Sequence, residues 1–218
     1  MPNTVPSSIN FVPSLDPDSS RLPGSSLLWL KAMRKSGIKR FNDLGLPTTK
    51  IEGWKYTNLK PLESLRFQST SDVDDMAVID TVPSLLSDTS ETPRLVFVNG
   101  RIRNSFRIKG DLPKGVFLES LIEVLAKTPD WLEKYLGSLK DDQLALVQLN
   151  LAMMDTGFVL RVAPGVVVDQ PIEIISVGGV ADQPVAYFPR NLVILGKNSQ
   201  VTLVEHHAGL GVGAYFTN

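Results

Sequence analysis

The chain has 218 residues, 43% of them hydrophobic and 21% charged, enough for one large domain or two small ones with a sizeable core. A formal net charge of −1 argues against a polyanion-binding surface and a nucleic-acid partner. No cysteine is present, which excludes disulfides, a cysteine-based metal site and a cysteine nucleophile, and suits a reducing compartment.

Residues 1–24, "MPNTVPSSINFVPSLDPDSSRLPG", read as a flexible N-terminal arm. They have neither the basic and apolar regions of a secretory signal nor the Arg-rich amphipathic character of a transit peptide. No apolar run approaches the roughly 20 residues of a membrane helix. The expectation is a cytoplasmic protein that makes no membrane contact. A mixed helical region is expected over 25–155. Its first helix, "PGSSLLWLKAMRKSG", has Ser25 or Ser26 to cap it, Leu27, Leu30 and Met33 at helical spacing, and Gly37 to end it.

Phe41 to Leu62 reads as irregular and contains "KIEGWKYTNLKPL", which sets two large aromatics among an acid and three lysines. Glu52, Trp54, Lys55, Tyr56 and Thr57 are therefore a candidate structural or interaction motif. On the structural reading, Trp54 and Tyr56 cover a core edge under lysine stems, with Trp54 mostly buried and Glu52 or Lys55 more exposed. On the other reading the aromatics anchor a partner, since Trp and Tyr are enriched at binding hot spots. The structural reading is the simpler.

From Ser69 to Pro93 the chain is polar and reads as a surface linker, with a short helix near Leu86. Asn99–Gly100 between "RLVFV" and "RIRNSF" predicts a hairpin over 94–106, because this pair suits positive φ at both centres of a type I′ turn. Helical segments follow in "LESLIEVLAK", in "PDWLEKYLG" with Asp130 as cap and Gly137 as stop, and in "DDQLALVQLNLAMMD" with acids at its start.

After Gly157 the period changes to short β-branched runs. Phe158 to Val162 and Ile172 to Val177 are echoed about thirty residues on by Leu192 to Leu195 and Val201 to Glu205. That offset suits a solenoid or β-helix over 156–218, with a β-sandwich as the alternative. If alternation continues from Val201 and Leu203, Glu205 and His207 share the inner face and His206 lies opposite. The pair reads as a buried acid–imidazole contact, with a metal or proton role and a solvated strand end as alternatives. No Walker lysine accompanies "GLGVGAY" and no G-x-S-x-G occurs, so the residues themselves point to no catalytic group and no metal site.

"GLPTTKIEGWKYTNLKPL", "FVNGRI", "LNLAMMDTGFVLRVAPGVVVDQPIEI" and "PRNLVILGKNSQVTLVEHH" occur in the order seen in the SufD family, which the chain resembles from Leu28 onward. The resemblance implies an α+β chain: an N-terminal helical region with a hairpin, then the first coils of a right-handed parallel β-helix, truncated here. It implies a non-enzymatic scaffold of the SUF iron–sulfur cluster assembly system, partnered by SufB and the ATPase SufC. No cofactor is expected in this chain, the cluster being assembled on the full complex. The chain looks like an N-terminal fragment, and an open β-helix edge would favour dimerisation. The alternatives are a β-solenoid enzyme acting on carbohydrate and a free-standing interaction module.

Overall fold

The computed structural model describes residues 16, 18–69, 80, 82, 92–103, 112–138, 144–179, 184–209 and 215–217. Helix α1 spans Leu28–Leu44, with Leu27 at its N-cap and no side-chain cap. It therefore runs through Gly37 and ends at Gly45, whose φ of 72° closes it while its N–H donates to the Phe41 carbonyl. Gly37 has a different use. A Cβ there would lie 2.9 Å from the Gln148 carbonyl oxygen and 3.1 Å from the Ala152 nitrogen, so the glycine lets two helices touch.

Two short 3₁₀ turns follow, Glu52–Trp54 and Lys60–Ser64, and then strand β1, Gln68–Ser69. β2 (Arg94–Val98) and β3 (Arg101–Ile102) form an antiparallel hairpin around Asn99 and Gly100, at φ 46° and 77°. The expected reach of that hairpin to 106, and the helix near Leu86, fall outside the described residues. Within the linker, Val82 is fully buried against Val96, Val98, Ile175 and Val177.

Leu118 to Ser120 belong to a strand, not to a helix. β4 (Val116–Ser120) pairs antiparallel with β5 (Phe158–Val162), setting Leu118 opposite Leu160. A distant partner strand thus overrides the local helical pattern. The chain turns helical at Ser120, whose side chain accepts from the Glu123 N–H and starts α2 (Leu121–Lys127). α3 is one turn, Glu133–Leu136, capped by Leu132 rather than Asp130 and followed by Gly137. α4 runs from Ala145 to Met153, starting after the acids at 141 and 142.

β6 (Ile172–Gly178), β7 (Val185–Tyr187), β8 (Leu192–Leu195), β9 (Leu203–Gly209) and β10 (Tyr215–Thr217) complete a mixed α+β fold. Among the described residues three sheets form, ordered β1-β7-β10, β3-β2-β6-β9 and β4-β5-β8, and none closes into a barrel. β5 pairs with β8, β6 with β9 and β7 with β10, always in parallel. Val159 faces Leu192, Ile172 faces Leu203 and Val185 faces Tyr215, offsets of 33, 31 and 30 residues. A sandwich of antiparallel sheets would not give such pairs. β7 and β10 escaped the sequence reading because three residues carry too little periodicity.

One core lies between the β4-β5-β8 and β2-β6-β9 faces, around Leu95, Phe97, Phe158, Leu160, Ile172 and Ile174. A second joins α1, α4 and β7 through Phe41, Leu149, Ala152, Ala186 and Phe188. A third packs α1 against α2 and α3 through Leu30, Leu121, Val124, Leu132 and Leu136.

Candidate functional site

The segment from Leu46 to Phe67 is pinned at both ends and raised in the middle. Leu46, Leu62, Leu65 and Phe67 pack on the cluster around Phe41 and Leu149. Between them the backbone satisfies itself locally. Trp54 N–H donates to the Ile51 carbonyl and Thr57 N–H to the Trp54 carbonyl, both at 2.9 Å. Lys60 N–H donates to Asn58 Oδ1 at 3.0 Å. The side chains are left to point outward. Trp54 is half-buried, less than the mostly buried position expected of it, while Glu52, Lys55 and Thr57 are exposed. Tyr56 is 92% exposed and Ile51 53% exposed, with the Lys55 ammonium 5.5 Å from the Tyr56 ring centroid. Tyr56 covers no core edge.

A second locus lies along β9, the edge strand of its sheet among the described residues. Glu205 stands opposite Ile174, His206 opposite Ile175 and His207 opposite Ser176. His207 Nε2 lies 3.8 Å from Glu205 Oε2, and His206 Nε2 lies 4.0 Å from Glu173 Oε1, so the two imidazoles serve different faces. The Glu205 and His207 side chains are 50% and 67% exposed, so this pair is solvated rather than buried. The reason is positional: β9 has β6 on one side and no described strand on the other. Among the described residues no three His, Cys, Asp or Glu side chains converge in a way that could hold a metal ion.

A third locus was not visible in the sequence. Arg34, 1% exposed, projects from α1 into the end of α4. Its Nη1 donates to the Ala152 carbonyl at 3.0 Å, and its Nη2 to the carbonyls of Met154 at 2.8 Å and Pro23 at 3.0 Å. Beside it, Asp155 grips Phe188 from both directions: its Oδ1 accepts from the Phe188 N–H at 2.9 Å, and its own N–H donates to the Phe188 carbonyl. Burial pushes the Asp155 carboxyl up to about 6, against the pull of those hydrogen bonds and of the Arg34 and Arg101 charges. Burial likewise lowers Arg34 to about 10, with the Asp155 charge opposing. Arg190 donates to Asn150 Oδ1 at 3.2 Å, and Asn150 Nδ2 donates to the Pro189 carbonyl at 2.8 Å. These groups clamp the helices to the strands.

Residues 16–174 match the family model described as the SufBD protein N-terminal region. The chain belongs to the SufBD family. Its likeness is to the SufD branch and to the N-terminal region of those proteins. It is 26% identical over 178 residues to an iron–sulfur cluster assembly SufBD family protein of Synechocystis sp., covering 81% of this chain and 39% of that one. It is 26% identical over 185 residues to the iron–sulfur cluster assembly protein SufD of Bacillus subtilis, covering 82% of this chain and 41% of that one. The chain thus spans about two fifths of the length of the curated relatives it matches. The region matched to the family takes in the raised turn and the Arg34–Asp155 clamp, but stops short of Glu205 and His207. No helix among the described residues is long and apolar enough to cross a membrane.

Proposed function

We propose that this SufD-family chain is a non-enzymatic scaffold element of an iron–sulfur cluster assembly complex, working in the cytoplasm with SufB and the ATPase SufC. The family match over residues 16–174 carries this reading, and the assembly role printed in the names of two relatives supports it. The cluster is cargo of the complex. The chain's own part is to present surfaces.

Residues 156–218 are proposed to be the first coils of a right-handed parallel β-helix. Three parallel pairings at offsets of 33, 31 and 30 residues support it, because one three-strand unit stacked on the next produces that recurrence. The edges of β8 and β9, which have no further strand beside them among the described residues, then call for cover, from a second copy of this chain or from further coils.

Four measurements test the role. In a strain lacking SufD, this chain is expected not to restore SUF-dependent growth, whereas full-length SufD does. Pull-down with SufB and SufC is run for this chain beside full-length SufD, and SufB is the subunit expected to recover the chain. The purified chain is expected to hydrolyse no ATP and to hold no cluster. Growth rescue at matched expression would show that the working parts lie within these 218 residues, and ATPase activity would defeat the scaffold reading.

A further inference from the structure

A net charge of −1 conceals a steep asymmetry. Residues 28–66 hold nine Lys and Arg against three Asp and Glu, a local surplus of six positive charges in a chain whose total is −1. These residues form one packed unit, since Phe41 and Ile38 of α1 and Leu46, Leu62 and Leu65 of the following segment share a core. Part of the positive charge is answered internally: Asp18 lies 3.5 Å from Lys31 and 3.2 Å from Lys35, and Asp43 lies 2.8 Å from Lys39. No ion pair among the described residues involves Lys50, Lys55 or Lys60, the lysines of the raised turn.

We propose that this turn, with Ile51 and Tyr56 at its crown and Lys50, Lys55 and Lys60 around them, docks onto an acidic protein surface that offers an apolar slot. Three observations converge. The crown is held at both ends by core leucines, so its exposure is a presented shape with a satisfied backbone. Tyr56 at 92% and Ile51 at 53% exposure put two large hydrophobic side chains into solvent on one charged turn, the composition of an interface hot spot. The surrounding charge has one dominant sign, which sets the sign of the partner. A protein fits this face better than a polyphosphate. Glu52 and Glu63 stand among the lysines and would repel phosphates, and the aliphatic Ile51 cannot stack on a base.

The inference rests on the assembly-partner reading above, and its test separates the two. The full 218-residue chain is titrated against immobilised, purified SufB and SufC at low and high salt. Two exposed-residue variants, Ile51→Ser/Tyr56→Ala and Lys50→Glu/Lys55→Glu, are run beside a distant control, Lys197→Glu. Matched thermal unfolding shows that all of them fold. The expected result is binding by the wild type and the control, roughly tenfold weaker binding by each crown variant, and a flatter salt dependence for the charge variant. Wild-type binding that both crown variants retain overturns the docking surface and leaves the scaffold role standing. Failure of the wild type to bind either subunit overturns both. Crown-dependent binding to anionic vesicles or duplex DNA, with none to the subunits, overturns the choice of a protein partner.

Discussion

β5 and β6 are paired in parallel by β8 and β9, yet their fates in water differ. β5 is buried at every position except Arg161, whereas β8 alternates between half-buried and exposed. Val193 and Leu195 stand opposite Leu160 and Val162 on the same face, and are 41% and 52% exposed where their partners are buried. The side chains are equally apolar. What differs is neighbours: β5 lies between β4 and β8, while β8 has β5 alone among the described strands. In a stacked fold, burial is conferred by the next layer, so hydrophobicity along the chain does not reveal which layer is covered.

The sharpest way to break the first layer is at its entry. Gly157 precedes β5 at φ 128°, and a Cβ there would fall on the backbone carbonyl of Arg190, the residue that leads toward β8. Backbone has nowhere to yield. Gly157→Ala combines disfavoured φ with overlap and should cost about 4 kcal/mol or abolish folding. Gly165→Ala, also at positive φ but with open space around it, should cost about 1 kcal/mol. Urea denaturation compares them, and equal losses would mean that the two layers are not locked at Gly157.

Truncating one leucine in each layer sharpens the comparison directly. Leu160→Ala empties a fully buried site and should cost about 3–4 kcal/mol, and Leu195→Ala under about 1 kcal/mol. A large loss at Leu195 would show that β8 is covered in solution.

Asp155 gives the first layer a pH dependence of its own. Its folded pKa of about 6 lies above its ordinary value of 3.8, so the folded state holds the proton more tightly. That contribution is fully present below pH 3.8 and is lost as pH rises through about 6. The loss amounts to about 3 kcal/mol by linkage. Asp155→Asn keeps an acceptor for the Phe188 N–H and removes the titration. The gap in stability between variant and wild type should therefore grow in the variant's favour between pH 4 and pH 6. Parallel stability curves for the two proteins would rule this out.

How much of this was legible depended on where each cause lay. β5, β6, β8 and β9 could be read because their β-branched runs are local, and the hairpin because Asn99–Gly100 fixes its own turn. Gly37 misled because a helix stop and a helix contact use the same residue, and only the approach of Gln148 and Ala152 tells them apart. Leu118 to Ser120 carry a helical pattern, and their strand partner lies some forty residues on at Phe158 to Leu160. The turn around Trp54 drew notice through composition, but composition could not tell that Tyr56 is uncovered. The Arg34 clamp had no signal, since Arg34 and Met154 are 120 residues apart in sequence.

The smallest expected effect tests the outer layer. Glu205 and His207 sit two apart on β9, half or more exposed, with nitrogen and oxygen 3.8 Å apart. Solvent at that separation leaves little attraction, and holding both side chains in place costs rotamer freedom. Glu205→Ala and His207→Ala should each change stability by under about 0.5 kcal/mol, and a double-mutant cycle should give a coupling of the same size. A coupling above about 1 kcal/mol would contradict the exposed edge, because only a desolvated pair interacts so strongly. Protein concentration then separates the two kinds of cover. An edge paired with a second copy loses its coupling on dilution, with a shift from dimer to monomer in sedimentation, whereas an edge covered within one chain keeps it.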